Sequence, residues 1–357
     1  MPMVVPDYAD RSITNVVRAI RGEGSALADL GDAVSGASTV VLVVLDGLGD
    51  RQLVDHAAQS PTLMAARLEP ITSVAPSTTA AALTSLTTGV PPGAHGIVGY
   101  RMTFGPDILQ SLGWRVGKDD ATLVLPPAQV QPIEPILSGV PYVGKAHFEH
   151  SGFTMAHLRG VDYRGTDSLA GVPGAVREAA ASSPLVVVYY DGIDKVAHAS
   201  GLGEQYLAEV ASTDAFIAKL RASLESQCAL VVTSDHGQVD VGDARIELPS
   251  EVLDKVQRMT GEGRFRWLHV AGDARAVAAD LAGPLADDCW VLTVDEVIDL
   301  GLLGPVAPGV VERLGDIAVI PFTHRYVRDP AEPNEHRMRS RHGSLTSEEM
   351  LVPLCVL

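Results

Sequence analysis

The segment VVLVVLDG, residues 40–47, decides the fold of this chain. Val40–Leu45 is an uninterrupted apolar run of strand length and is rich in β-branched side chains. Such a run predicts a strand that is buried on both faces, as in a parallel sheet covered by helices. Asp46 follows at once, so the strand delivers a carboxylate at its carboxyl end.

Two later segments repeat this arrangement. Leu185–Tyr190 is followed by Asp191, and Ala229–Ser234 is followed by Asp235 and His236. The carboxyl ends of parallel strands meet at one edge of an open α/β sheet, and ligands bind at that edge. The recurrence therefore predicts an α/β fold with a mostly parallel central sheet flanked by helices, and a polar site at the strand ends.

The segments between the strands have helical patterns. Ala80–Thr88 is rich in alanine and ends before a glycine and two prolines, and Gly203–Glu225 places apolar residues at helical spacing. The stretch 246–311 alternates strand and helix signals and interrupts the polar motifs. We interpret it as a smaller inserted α+β subdomain in a catalytic core made of residues 1–245 and 312–357.

Composition narrows the class of protein. The 357 residues include 46% hydrophobic residues, and their net charge is −17, which argues against a nucleic-acid polymer as partner. The three cysteines are scattered and lack metal-type spacing, as is typical of buried thiols in a reducing compartment. No basic segment leads into an apolar run near the N-terminus, and the apolar runs are too short to span a bilayer. We therefore expect a cytoplasmic protein without membrane contact.

Asp194 and His198 form the first candidate metal-binding pair. Their spacing of four places both side chains on one face of a helix, or on adjacent loop positions, within reach of one ion. Asp191 competes with Asp194 because it ends a strand, but it lies seven positions from His198. We therefore interpret Asp191 as a residue that supports the ligands.

Further candidate ligands follow in the second half of the chain. Asp235 and His236 come directly after a buried strand, and Gly237 permits the turn that would bring both side chains to one ion. His342 lies in a polar segment near the C-terminus and becomes a candidate only together with the others. Asp and His ligands without thiolates suit Zn²⁺ or Mn²⁺, and a pair of such ions about 4 Å apart can bridge a phosphoryl group.

The segment PSTTAAA, residues 76–82, offers a candidate nucleophile. Its hydroxyl residues stand at the start of an alanine-rich helix, where free N–H groups and the helix dipole favour an anion. A Ser or Thr in this position is also a common helix cap. Both roles can hold together, with Ser77 or Thr78 capping the helix and Thr79 reacting.

Five motifs in this order resemble the type I phosphodiesterase/nucleotide pyrophosphatase branch of the alkaline phosphatase superfamily. The resemblance runs from about residue 39 to the C-terminus, outside the stretch 246–311. The motifs are Asp46-Gly47, Thr79 with Thr88-Gly89 and His95-Gly96-Ile97, Asp194 with His198, Asp235-His236-Gly237, and His342-Gly343.

The resemblance implies an alkaline phosphatase-like core and two divalent metal ions, expected to be Zn²⁺ with Mn²⁺ as the alternative. It implies that Thr79 is the nucleophile and forms a phospho-threonine intermediate, since the family's nucleophile lies ten residues before the glycine of its Thr-Gly pair. Thr78 is the competing position. One ion would be held by Asp46, Thr79, Asp235 and His236, and the other by Asp194, His198 and His342.

One departure from the family pattern concerns the substrate. The diesterase branch usually has an Asn shortly after its His-Gly-Ile, where this chain has Tyr100 and then Arg101. Both become candidate substrate-binding residues. We expect a phosphodiesterase or nucleotide pyrophosphatase acting on a small phosphate ester. A phosphomonoesterase or phosphate-transferring mutase, and a metal-stabilised binding protein, remain as alternatives. Other histidines, among them His95 and His336, are interpreted as structural or surface residues.

Overall fold

The fold is built on a six-stranded central sheet. The structure is a computed structural model that describes residues 2–332 and 337–357, so His336 lies outside the described residues. Neighbouring strands of the sheet run parallel except at one edge, where the last strand of the chain is antiparallel. From that edge, the strands are Leu354–Val356, Cys228–Thr233, Thr39–Leu45, Leu185–Tyr190, Pro141–Lys145 and Asp162–Thr166.

The strand predicted first lies in the middle of the sheet and is buried along its whole length. Its side chains alternate between two hydrophobic clusters: Leu42 and Val44 belong to one, and Val41 and Val43 to the other. Because both faces are covered, the strand lacks the alternation of polar and apolar residues seen in half-exposed strands. The predicted α/β fold with a mostly parallel sheet is confirmed.

Helices cover both faces of the sheet. The two predicted from periodicity are Thr79–Thr88, which ends at Gly89, and Glu204–Ser223. The other longer helices are Ala28–Val34, Val172–Ala180, Gly192–Ser200 and Ala274–Ala282. The shorter ones are Val16–Ile20, Asp50–Asp55, Pro61–Ala65, Pro92–His95, Pro127–Val130, Gly152–His157, Ser250–Leu253, Val294–Asp299, Pro308–Val311 and Ser347–Met350. No helix in the described part of the chain is long and apolar enough to cross a membrane.

A second, antiparallel sheet of four strands occupies the region of the predicted insertion. Its strands, in spatial order, are Val256–Glu262, Phe265–Val270, Ile317–Pro321 and Cys289–Thr293. The strand Ile317–Pro321 pairs with two others and lies beyond residue 311, so this sheet extends past the stretch 246–311. The division of the chain at those boundaries stays a prediction.

Smaller strand pairs complete the architecture and position parts of the site. Val239–Asp240 pairs with Ser340–Arg341, which brings the segment before His342 next to the strand end that carries Asp235. A small antiparallel sheet begins at Arg101, and the sequence patterns gave no sign of it. Its strands are Arg101–Phe104, Asp107–Gln110, Arg115–Val116 and Asp119–Asp120.

Candidate active site

Three polar atoms converge on one histidine at the ends of the central strands. Thr79 Oγ1 lies 3.0 Å from His236 Nε2. Asp46 Oδ1 lies 3.4 Å and Asp235 Oδ2 lies 3.5 Å from the same nitrogen. All four residues are buried. We call them the Asp46 group. They are the residues whose ligation of one ion was inferred from the family resemblance, and the structure brings them together.

A second cluster adjoins the first. Asp194 Oδ1 lies 3.2 Å from His198 Nε2 and 3.9 Å from His342 Nε2. Asp194 and His198 project from the helix Gly192–Ser200, one turn apart on the same face, which is the helical arrangement that their spacing of four allowed. These three residues form the Asp194 group. Asp194 also offers an oxygen within 4.8 Å of ligand atoms of Asp46 and His236, so it stands between the two groups.

The three histidines share one hydrogen-bonding arrangement. In each, Nδ1 lies against a backbone carbonyl oxygen, which can only accept, so Nδ1 carries the proton and Nε2 keeps a free lone pair. Metal-binding histidines are commonly oriented in this way. The distances from Nδ1 to oxygen are 2.7 Å for His198 and Ser340, 3.0 Å for His236 and Gly237, and 3.0 Å for His342 and Ser77.

The buried carboxylates leave acceptor oxygens without partners. Asp46 Oδ1 and Asp235 Oδ2 are both buried and accept no hydrogen bond from any residue in 2–332 or 337–357. Burial raises the pKa of Asp46, and the neighbouring Asp235 and Asp194 carboxylates raise it further. Burial likewise raises the pKa of Asp235, although His236 opposes the shift. Unpaired buried carboxylates cost free energy, and a cation between them would remove that cost.

The pKa values in the Asp194 group are shifted by neighbouring charges as well as by burial. Burial works against ionisation of Asp194, but the adjacent His198 and His342 outweigh it, so the pKa of Asp194 is lowered. Burial also works against protonation of His198, yet Asp194 raises the pKa of His198 above its usual value. The two residues form a close ion pair when His198 is protonated. For His342, burial and the stacked ring of His236, 3.6 Å away between centroids, lower the pKa.

These observations fit a divalent metal centre. Carboxylate oxygens and imidazole nitrogens with fixed tautomers suit Zn²⁺ or Mn²⁺, and none of the three cysteines lies in either group. The orphaned oxygens of Asp46 and Asp235 point to the same conclusion independently. The two groups meet at the carboxylate of Asp194.

The start of the helix Thr79–Thr88 separates the two candidate nucleophiles. Thr79 is its first residue and directs its hydroxyl at His236. Thr78 occupies the N-cap position but makes no side-chain cap hydrogen bond, and Ser77 donates instead to the carbonyl oxygen of Ser344, 2.7 Å away. Thr78 therefore holds the expected cap position without a side-chain cap hydrogen bond, and Ser77 does not cap the helix. The hydroxyl of Ser77 instead binds the C-terminal segment.

Asp191 lies outside both groups. Its carboxylate forms ion pairs with Lys145 and Lys195, at 2.6 and 2.8 Å, and these lysines lower its pKa against the effect of burial. His95 is also structural: it contacts Ser85 Oγ at 2.8 Å through Nε2 and accepts from the N–H of Ile97. It thereby braces the helix that begins at Thr79.

Sequence reasoning missed two polar residues that hold the ligands. Tyr189 donates a hydrogen bond to Asp46 Oδ2, and Gln238 donates through Nε2 to Asp194 Oδ1 at 2.9 Å. Tyr189 lies within a strand and Gln238 follows the Asp-His-Gly motif, so no spacing rule singled them out. Their places one residue before a strand end and three residues after Asp235 were the available signals.

Two cavities border the two groups. Both are lined by Thr79, Asp194 and Leu112. The larger cavity has a volume of about 530 Å³ and includes Tyr100 and Arg101 in its lining. The smaller cavity has a volume of about 220 Å³ and is rich in aromatic side chains, which are Tyr142, Phe148, Phe153, Tyr163 and Tyr189.

Both sequence-predicted substrate residues thus reach the larger cavity. Burial raises the pKa of Tyr100, and nearby Glu332 and Glu262 add to the effect, so its hydroxyl keeps its proton. Arg101 is held by two carboxylates, since its Nη1 lies 2.7 Å from Asp329 and 2.8 Å from Glu332. Its guanidinium charge is therefore compensated within the protein.

Comparison with known families identifies the chain. Residues 40–345 match the model of the family type I phosphodiesterase/nucleotide pyrophosphatase. The chain belongs to this family. The recognition made from the five motifs is thereby confirmed. The chain is accordingly a metal-dependent hydrolase of phosphoric ester or phosphoanhydride bonds. No curated protein sequence matches it significantly.

Several solved structures share the fold of this chain. Murine ectonucleotide pyrophosphatase/phosphodiesterase 5 is 17% identical, with a TM-score of 0.66 over 88% of this chain and 87% of the mouse chain. An inactive variant of that mouse protein was solved with AMP, and matches at 16% identity, TM-score 0.66, over 89% and 87% of the chains. Phosphonoacetate hydrolase from Sinorhizobium meliloti 1021, solved with phosphonoformate, matches at 17% identity, TM-score 0.65, over 90% of both chains.

Proposed function

We propose that this protein is a phosphodiesterase that forms a covalent intermediate on Thr79 with the help of two divalent metal ions. The observation that carries the proposal is the position of the Thr79 hydroxyl. It lies 3.0 Å from His236 Nε2, in the Asp46 group that adjoins the Asp194 group, and Thr79 lines both cavities. A phosphorus atom placed there would contact the hydroxyl and face both sets of ligands.

The two groups define which residues would hold the ions. Asp46, Thr79, Asp235 and His236 would hold one, and Asp194, His198 and His342 the other. Zn²⁺ suits this donor set, and Mn²⁺ is the alternative. Such a pair supplies positive charge to the phosphoryl oxygens and lowers the pKa of a coordinated hydroxyl.

The protein's own residues set up the displacement. Thr79 is the first residue of a ten-residue helix, so its hydroxyl lies at the positive end of the helix dipole. Its oxygen attacks phosphorus and forms the phospho-threonine bond while the bond to the leaving alcohol breaks. The leaving oxygen takes up the proton that the threonine hydroxyl gives up. Water then cleaves the phospho-threonine bond and restores Thr79.

The two cavities favour a diester over a monoester. A phosphodiester carries two organic substituents on phosphorus, whereas a monoester carries one. Thr79 lines both cavities, of about 530 and 220 Å³, so each substituent can have its own space beside the nucleophile. The smaller one is aromatic and suits a planar ring. A small-molecule diester whose ring-bearing group enters it is the substrate class that this shape fits.

The test compares Thr79→Ala with Thr78→Ala after reconstitution with Zn²⁺ or Mn²⁺. Thr79→Ala should lower kcat for bis(p-nitrophenyl) phosphate by at least about a thousandfold, because it removes the hydroxyl that forms the intermediate. Thr78→Ala should keep activity within about threefold, since it removes no nucleophile. Metal content, measured by elemental analysis, should be about two ions per chain in the wild type.

Each alternative has its own outcome. A kcat/KM for p-nitrophenyl phosphate well above that for the diester would indicate a phosphomonoesterase or a mutase instead. Chelator-sensitive stability without hydrolysis of either compound would indicate a metal-stabilised binding protein. Full activity in Thr79→Ala with loss in Thr78→Ala would move the nucleophile by one residue and contradict the proposal.

A further inference from the structure

Glu262 lines the larger cavity together with the three residues of the Asp194 group. It is the last residue of the strand Val256–Glu262, at the tip of the hairpin that leads into Phe265–Val270. Its side chain packs against Gly343, since a Cβ at that glycine would lie 3.3 Å from Glu262 Cγ. The second sheet thus delivers a carboxyl group beside the residue that follows His342.

The hairpin tip is held firmly in this place. Arg264, two residues on, forms a buried pair with Glu349, with distances of 3.0 Å from Nε and 2.6 Å from Nη2 to the two carboxylate oxygens. The carbonyl oxygen of Gly263 accepts a hydrogen bond of 2.7 Å from the N–H of Val327. Because these contacts fix the backbone on both sides of the turn, the position of Glu262 is preorganised.

One oxygen of Glu262 lacks a partner. Glu262 Oε1 is buried and accepts no hydrogen bond from the residues that the structure describes. Burial raises the pKa of Glu262 to about 8, and Glu332 contributes in the same direction while Arg266 and Arg341 oppose it. A neutral carboxyl group can both donate and accept, which matches an alcohol hydroxyl.

The charges around the larger cavity argue against a second phosphate there. Arg101 and Arg341 line it, and so does Glu332. Arg101 is paired with Asp329 and Glu332, and the guanidinium of Arg341 lies 4.0 Å over the ring of Tyr326. Among the residues that the structure describes, the charges of these two arginines are thus matched by two carboxylates, which leaves no excess of positive charge to attract another anion.

The larger cavity also lies on the leaving-group side. Thr79 Oγ1 belongs to the Asp46 group, and an in-line displacement places the leaving oxygen on the far side of phosphorus from the attacking oxygen. That side faces the Asp194 group, of which His198 and His342 border the larger cavity. The larger cavity therefore offers the space for the alcohol that departs.

We propose that the larger cavity binds a neutral leaving alcohol that bears at least one further hydroxyl group, and that Glu262 hydrogen-bonds this hydroxyl and sets the preference for it. Tyr100 and Gln110 offer additional hydrogen-bonding groups along the same wall, as a polyol or sugar would require. This inference rests on the proposed diesterase function and assigns its leaving-group specificity to a residue of the second sheet.

The experiment uses two phenyl aryl phosphodiesters, in which the phenyl group suits the smaller cavity and the nitrophenol leaving groups differ only in a hydroxymethyl or an ethyl substituent. The wild-type protein should prefer the hydroxymethyl compound by about tenfold in kcat/KM, the effect of one neutral hydrogen bond. Glu262→Leu should abolish that preference, so that the kcat/KM values of the two compounds become equal within about twofold. Glu262→Gln should keep the preference, because an amide can also donate and accept.

The control is Glu247→Gln. Glu247 is exposed, pairs with Arg328 and lines neither of the two cavities, so this change should alter kcat/KM for neither compound. Equal hydrolysis of both compounds by the wild type, or an undiminished preference in Glu262→Leu, would overturn the inference. Loss of the preference in Glu262→Gln would show that a charged carboxylate is needed. It would overturn the inference of a neutral leaving alcohol in favour of one that carries a cationic group. Glu262→Met decides the question if the leucine variant does not fold. Failure of the loaded wild type to hydrolyse either diester would instead overturn the proposed function.

Discussion

A methyl group added at Gly47 should disturb the proposed metal centre directly. Its φ of +78° is a left-handed conformation, and a Cβ there would lie 2.4 Å from Gln238 Nε2 and 3.0 Å from Asp194 Cα. The backbone makes the approach necessary, since the N–H of Asp194 donates to the carbonyl oxygen of Asp46 at 3.1 Å. Gly47→Ala must therefore push the helix that carries Asp194 away from the Asp46 group.

The cost of this substitution has two parts. A left-handed conformation of an L-residue costs about 1–2 kcal/mol, and overpacking at a buried contact adds about 1–3 kcal/mol. Gly36→Ala is the matched control, because Gly36 has a φ of +86° but nothing within 4 Å of its Cβ position. Gly36→Ala should therefore lose only the free energy of the left-handed conformation, about 1–2 kcal/mol. The difference between the two variants isolates the contact with Asp194 and Gln238.

Urea unfolding measures both losses, and steady-state kinetics with metal analysis measures the consequence for the site. A ligand displaced by about 1 Å costs on the order of a hundredfold in rate. We therefore expect kcat/KM of Gly47→Ala to fall by about that factor, with weaker retention of one ion, while Gly36→Ala stays near the wild-type rate. Equal stabilities and equal activities of the two variants would refute the reasoning, because they would show that the close approach at Gly47 has no effect.

Three further predictions concern other parts of the molecule. Arg264→Met breaks the fully buried pair with Glu349 and should lower the free energy of unfolding by about 3–5 kcal/mol. Arg245→Met breaks an exposed pair with Glu247 and should lower it by less than about 1 kcal/mol in the same urea assay. Similar losses of stability in the two variants would contradict this prediction. His342→Ala should lower bound metal from about two ions per chain to about one, as measured by elemental analysis, and unchanged occupancy would remove His342 from the site. Burial lowers the pKa of His95 to about 3, so the unfolded state gains a proton first as the pH falls. Stability should therefore drop by ~1.4 kcal/mol per pH unit below about pH 6 from this residue, and His95→Gln should lessen that slope.

Much of the site was predictable because it sits at strand ends. The run Val40–Leu45 can only be a fully buried strand, and its carboxyl end must present Asp46 at the ligand-binding edge of the sheet. The spacing of Asp194 and His198 needed only a helix to bring them together, and the helix Gly192–Ser200 supplies it. Local geometry was sufficient in both cases.

Other parts could not be predicted because distant segments compete for the same groups. Ser77 was expected as a possible helix cap, but the segment after His342 supplies a carbonyl oxygen that its hydroxyl contacts instead. Arg101 was expected to face a substrate, and it does line the larger cavity, but Asp329 and Glu332 also bind it. Such pairings join residues more than 200 positions apart, and no local pattern encodes them.

The sequence by itself determined the parallel sheet, the polar edge and the ligand types, because strand periodicity, strand-end carboxylates and histidine spacing are local properties of the chain. Tertiary structure alone decided which side chains meet. It placed His342 beside His198 through the pairing of Ser340–Arg341 with Val239–Asp240, and it brought Glu262 from the second sheet into the larger cavity. The physical reason is that these contacts depend on how separate sheets pack, and the free energy of packing is set by surfaces that the chain acquires only when it folds.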